Sequence, residues 1–121
     1  MLQHAQLDPA VGVVDQLRDT SDAPVVFLNL FDVDPADAEP FRNGWIAVSR
    51  AQPNFLSAQL HRGIGGSRPW LNVSMFESLV AFAAAVHAPE FGALNGVYPD
   101  SATARPHLFR RVAIPGICVG P

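Results

Sequence analysis

The amino-acid sequence predicts an α+β domain of the split βαββαβ, ferredoxin-like type: a four-stranded antiparallel sheet, two helices on one face, and a short N-terminal helix. Three observations carry this. The runs PVVFLNLF, FLSAQLHR, PWLNVSMF and HLFRRVAI are rich in β-branched and aromatic residues, as strands are. Two stretches between them repeat apolar residues at helical spacing behind capping residues. After the leader, the order of these elements is βαββαβ. A chain of 121 residues with 49% hydrophobic content can close one core. It divides into an extension over residues 1–22, a domain over 23–115 and a tail over 116–121.

Each element follows from local chemistry. Asp8-Pro9 sets a capping carboxylate before a proline at the first helical position, and Val13, Val14 and Leu17 make one apolar stripe, which predicts a helix over 9–18. Asp34-Pro35 repeats the cap, and Phe41, Trp45 and Val48 follow at helical spacing as far as Gln52-Pro53. Pro40 requires that this helix either begin near it or start with a kink. Residues 55–62 and 69–76 are two strands joined by the GIGGS turn. Ser78 caps a helix that turns Leu79, Phe82, Ala83 and Val86 inward and is broken by Pro89, with a short helical piece expected around Glu90 to Asn95. YPDSATARP reads as loop, and residues 107–114 as the last strand.

Side chains alternate across a strand, so each run divides into two sets. One is aliphatic: Val26, Leu28 and Leu30; Leu56, Ala58 and Leu60; Leu71, Val73 and Met75; Leu108, Val112 and Ile114. The other mixes rings with polar groups: Phe27, Asn29 and Phe31; Phe55, Ser57, Gln59 and His61; Trp70, Asn72, Ser74 and Phe76; His107, Phe109 and Arg111. A wet sheet face would carry charge, so the aliphatic set is expected against a second copy of the chain. The mixed set then lies beneath the helices, where rings with a few amides and imidazoles suit a small-molecule pocket.

Composition narrows the partner. The net charge is −3 and no block of basic residues occurs, which argues against nucleic acid or an anionic membrane. All eight basic residues are arginines, so Schiff-base and phosphate-loop lysine chemistry is excluded. Cys118 is the single cysteine, so no intrachain disulfide forms and a reduced, cytoplasmic setting is expected. The N-terminal residues lack the basic segment of a signal peptide, and no run reaches membrane-spanning length. No HxH, HExxH or paired-cysteine spacing offers a metal site. GIGGS enters a strand and not a helix, so it is a turn without the helix N-terminus that a phosphate needs.

PVVFLNLFDVDPADAEPF, then AQPNFLSAQLHR, then RPWLNVSMFES followed by a helix and PEF, together resemble the antibiotic biosynthesis monooxygenase family over residues 24 to 114. The resemblance implies a dimeric α/β barrel, in which two sheets pack back to back in a homodimer with one pocket per subunit. It also implies oxidation of a small aromatic molecule, such as a polyketide-derived phenol or anthrone, by dioxygen with no metal or tightly bound cofactor. Some members use reduced flavin as a diffusible co-substrate. A haem-degrading branch uses an asparagine, a tryptophan and a histidine; here the asparagine is Asn29, the tryptophan position reads Phe76, and the histidine position falls near Asn95. With no axial ligand in place, the resemblance argues against haem degradation.

His61, placed ahead of His107, is the candidate base for a phenol or activated C–H; either could instead be a solvated histidine beside a turn, and His4 in the leader and His87 at a helix end read as solvated. Asn29, Gln59 and Asn72 could hold a quinone or enolate oxygen, or form a closed amide network. Phe27, Phe31, Trp70 and Phe76 could stack on a ring or serve as core, and Arg111 could meet a phenolate or form a surface ion pair. Thus Asn29, His61 and His107 are the catalytic candidates, and the other residues named here are the candidate substrate contacts. Beside an oxygenase, the same pocket fits a cyclase, isomerase or decarboxylase of a polyketide intermediate, or a non-catalytic binder of a hydrophobic metabolite.

Overall fold

Caps and alternation act where the sequence places them along most of the chain. The computed structural model describes residues 2–19, 21–52, 54–88 and 95–118. In chain order its elements are β1 (Gln3–His4), α1 (Val13–Gln16), β2 (Val25–Asp32), a 3-10 turn (Pro35–Asp37), α2 (Ala38–Ala51), β3 (Phe55–Arg62), β4 (Pro69–Phe76), α3 (Leu79–Val86), a second 3-10 turn (Asn95–Val97) and β5 (Thr103–Phe109). Asp34 accepts from Ala36 N–H at 3.0 Å and starts the turn that leads into α2. Pro40 falls in the first turn of α2, where its missing N–H costs no bond. Ser78 Oγ accepts from Ala81 N–H at 3.1 Å and caps α3.

β5, β2, β4 and β3 form the antiparallel sheet of the ferredoxin-like fold, and β1 adds a fifth strand parallel to β5, giving the order β1-β5-β2-β4-β3. The helix-covered side holds two ring clusters. α2 sets Phe41 against Phe31 and Trp70, with ring centroids 4.8 and 5.2 Å apart. α3 sets Phe82 against Phe27 and Phe76, at 4.9 and 5.2 Å. On the opposite, open side, Val26, Leu28, Leu30, Leu71, Val73 and Met75 are only partly exposed in the single chain.

Three expectations are corrected. The helix predicted over 9–18 shrinks to Val13–Gln16, because Asp8 bonds Ala10 N–H at 2.8 Å in a local turn and Gly12 begins the helix, with its N–H held by Asp15 at 3.0 Å. The last strand begins at Thr103 and ends at Phe109, so it reaches into the stretch read as loop and stops before residue 114. Its Pro106 is tolerated because the neighbouring even positions direct their polar groups outward. Ala102 and Ala104 carbonyls accept from Gln3 and Ala5, and Leu108 bonds Gln16, so an N–H at 106 would face an edge with no strand beside it. The third correction is a one-residue irregularity in β3: Phe55 pairs with Phe76, but Ser57 pairs with Met75, so the strand changes phase at Leu56. The helical piece expected at 90–95 lies outside the described residues, apart from the backbone of its last residue, which opens the second 3-10 turn.

The leader is fastened to the sheet edge. The Gln16 side chain donates to the Leu108 carbonyl and accepts from the Leu108 N–H, both at 2.9 Å, doing the work of a missing strand. Gln16→Ala should therefore cost about 1–2 kcal/mol of stability. Urea denaturation measures it, and hydrogen exchange should show the Gln3 and Ala5 amides opening faster.

Candidate functional site

Along β2 the residues of the helix-covered face are Val25, Phe27, Asn29 and Phe31. Phe27 belongs to the α3 cluster and Phe31 to the α2 cluster, so Asn29 falls in the layer between them. The same layer continues across the sheet: Asn29 is directly paired with Asn72 on β4 and with Pro106 on β5. The two amides differ in one respect. Asn72, 5% exposed, accepts from Trp45 Nε1 at 3.1 Å and donates to Ser74 Oγ at 2.9 Å. Asn29 Oδ1 is buried and has no partner among the described residues. Leaving such an acceptor unmet costs on the order of 1–3 kcal/mol.

Beside Asn29 opens a cleft of about 50 Å³. Its floor is Phe27, Asn29, Phe31 and Asn72 from the sheet; its wall is Trp45, Val48 and Ser49 from α2 and Gln52 just past its end. Tyr98, after the second 3-10 turn, lines it too, with the buried Leu2 just before β1 and the exposed His4 of β1 at the rim. Gly44 lets α2 come this close to the Tyr98 segment, since a Cβ there would stand 3.2 Å from both the Tyr98 ring and the Val97 carbonyl. Burial pushes the Tyr98 phenol well above its ordinary range, so it remains a neutral group. A wider groove of about 410 Å³ runs between α1 and the start of α3, on the surface, where Arg110 is paired with Asp19 at 2.8 Å.

Four of the expected site residues line the cleft: Asn29, Phe27, Phe31 and Asn72. The others do not. His61 and Gln59 were expected on the same face, but the phase change at Leu56 turns them, with Ser57, onto the open side opposite Leu71 and Val73; both are exposed. His61 Nδ1 lies 3.3 Å from the Leu71 carbonyl. His107 is also on the open side, opposite Leu28, because β5 runs in the phase set by Ala104 and Leu108. Its Nε2 accepts from the Gln16 amide at 3.1 Å, and its ring stands against Phe109. Arg111 lies past the end of β5 with its guanidinium on Met75 Sδ. Trp70 is on the helix side but is core, between Phe41 and the Arg62 guanidinium, and Phe76 is fully buried against Phe82.

Sequence reading missed Trp45, Ser49, Gln52 and Tyr98, and it took His4 for a solvated side chain; His4 is exposed, and it also lines the cleft. Trp45, Ser49 and Gln52 continue the inward stripe of Phe41 at spacings of four, four and three, a stripe that turns polar toward its end. His4 stands two residues from a leucine in a short alternating run. No signal marked Tyr98. Among the described residues no cluster of three His, Cys, Asp or Glu could hold a metal, and no helix is long and apolar enough to cross a membrane.

The sequence model of the family described as antibiotic biosynthesis monooxygenase matches residues 24–96. No curated protein matches the chain in sequence. Among solved structures, SnoaB of Streptomyces nogalater, a cofactor-independent oxygenase, is similar with a TM-score of 0.62 and 23% identity, covering 78% of this chain and 98% of its own. A monooxygenase candidate from Shewanella loihica PV-4 gives a TM-score of 0.65 and 26% identity over 78% of this chain and 100% of its own. A candidate antibiotic biosynthesis monooxygenase from Caulobacter crescentus CB15 gives 0.63 and 16%, over 73% and 87%.

Tyr98 is the single tyrosine, which makes its titration readable. Its phenol is raised on folding, so its contribution to stability is complete below the unfolded value of about 10 and is lost as pH climbs toward the folded one. The urea midpoint should hold up to about pH 9 and fall as pH rises through about 10 and beyond, and Tyr98→Phe should remove most of that fall. Phenolate absorbance should rise only as the fold is lost.

Proposed function

The chain belongs to the antibiotic biosynthesis monooxygenase family, and from that premise we propose that it oxidises a small phenolic or quinonoid aromatic of polyketide type with dioxygen. The observation that carries the reading is the buried, unpartnered Asn29 Oδ1 at the floor of the cleft. An acceptor in that state selects a ligand with a donor, and a phenol O–H supplies one together with a flat apolar ring for Phe27 and Phe31. The cleft volume of about 50 Å³ admits the hydroxylated edge of a ring and leaves the rest of the substrate at the rim, along Ser49 and Gln52.

The chemistry balances without an added reductant. Loss of the phenolic proton leaves an electron-rich anion, which passes one electron to dioxygen. The resulting radical pair combines into a carbon–oxygen bond, and at a ring methylene the peroxide loses water to leave a carbonyl. CH2 and O2 thus become C=O and H2O, with all four electrons drawn from the substrate. The protein orients the substrate and keeps water from the radical pair. The likeness in fold to SnoaB, described as cofactor-independent, supports a reaction that needs neither metal nor flavin.

The open sheet face supports a homodimer. Leu28, Leu30, Leu71 and Val73 form an aliphatic surface on one chain, of the kind that a second copy would cover. Sedimentation should give twice the chain mass, and Leu28→Asp should give monomers.

Asn29→Leu removes the unmet acceptor. The thermal midpoint should hold or rise, while oxygen uptake with an anthrone or hydroxynaphthalene substrate should fall about tenfold or more in kcat/KM. Uptake should not require flavin. Turnover that continues without oxygen would replace the oxygenase with a cyclase or isomerase in the same cleft, and tight binding without product would make the protein a carrier.

A further inference from the structure

We propose that the N-terminal strand completes the cleft with its proton acceptor: the ligand hydroxyl, bound first through its proton to Asn29 Oδ1, swings that proton round to the His4 imidazole, which hands it to solvent. The inference rests on the Asn29 cleft being the ligand site. In the step, the ligand O–H bond breaks, its electron pair stays on oxygen, and an N–H bond forms on the ring; the imidazolium then loses that proton to water.

Register puts the imidazole there. β1 runs parallel to β5 with His4 opposite Ala104, and Ala104 is in turn opposite Phe31 on the helix-covered face. His4 therefore looks to the same side as Phe31 and Asn29, two strands away across the buried Ala104 of β5, and His4 and Asn29 line one cleft. The strand is held in place on both sides of the histidine. Leu2 is 6% exposed within the cluster of Phe31 and Tyr98, Gln3 N–H donates to the Ala102 carbonyl at 3.0 Å, and Ala5 N–H to the Ala104 carbonyl at 2.9 Å.

The other three histidines are elsewhere. His61 and His107 are on the open face, and His87 is exposed at the end of α3. Position suits the task as well: His4 reaches the cleft on one side and is itself exposed, so a proton taken from the ligand has a short way out. An imidazole is the side chain that changes charge in the neutral range. The ionisable groups that line the same cavities, among the described residues, are Tyr98 and Asp15. Tyr98 is kept neutral by burial, and Asp15 is engaged by Gly12 N–H at 3.0 Å and by Arg18 at 4.0 Å. Ser49 of α2 and Gln52 just past its end, which line the cleft with His4, carry no charge, and neither does Pro106 of β5. The strand lies outside the residues matched by the family model, which begin at 24.

The probe is 4-nitrophenol, a single ring whose phenolate absorbs in the visible. Bound to the full-length protein it should ionise at lower pH than in free solution. His4→Ala and His4→Gln should bind it within about threefold of the wild type, yet the titration of the bound probe should move up by about one pH unit. Gln keeps a polar side chain of similar reach but takes no proton, so a merely structural role would spare that variant. Added imidazole should restore ionisation in His4→Ala. An unchanged titration in both variants overturns the assignment and leaves Asn29 untouched. Undiminished binding by Asn29→Leu overturns the cleft as the ligand site, whatever the His4 variants do.

Discussion

The structure turns on a pair of amides placed opposite each other in a sheet, beneath the layer where two ring clusters meet. Phe27 and Phe31 share a face because a strand repeats every two residues, and each is claimed by a different helix through a different ring, Phe82 or Phe41. Asn29, midway, is held by its neighbours and has no freedom to turn away. Its partner Asn72 is tied to Trp45 and Ser74, which fixes the indole at the cleft wall. The result is one amide closed by the protein and one left open, an asymmetry that a mere core would have no reason to keep.

That asymmetry has an energetic sign. A leucine at position 29 would match its apolar neighbours and remove an unmet acceptor, so selection for stability alone would favour it. Small domains retain little net stability, on the order of 5–15 kcal/mol, and an uncompensated buried oxygen is a large share of that. Retention of such a group at the floor of a cleft is what a binding site requires, because the same desolvation that weakens the free protein strengthens the bond when a donor arrives.

Much of the fold was legible, and the faults have identifiable causes. The bounds of β3 and β4, the cap at Ser78 and the partition of β2 and β4 into two faces all follow from alternation and capping. The histidines were misplaced because a strand's phase is set by pairing, which one chain segment does not display. In β3 the adjacent apolar residues Phe55 and Leu56 are the visible mark of the phase change, since unbroken alternation would make one of them polar. At β5 the small residues Ala102, just before the strand, and Ala104, within it, carry the inward phase, and Pro106 disguises the strand as a loop. A helical stripe that turns polar at Ser49 and Gln52 was the remaining clue to the cleft wall. Tyr98 is brought in by tertiary packing against Gly44, and local sequence holds no trace of it.

The leader bears most on how such a fold acquires new side chains. β5 would otherwise be an edge strand with bare outward groups, an invitation to aberrant pairing. Here its carbonyls at 102 and 104 are met by Gln3 and Ala5, its position 106 has no N–H to meet, and Leu108 is met by the Gln16 amide. Covering an edge demands backbone contacts alone, and any two-residue strand with polar side chains would do. This leader instead turns Leu2 into the α2 cluster and His4 to the rim of the cleft, on the face that carries Asn29. Two consecutive inward positions, one apolar for anchorage and one able to carry a proton, give the added strand a place in the site as well as at the edge.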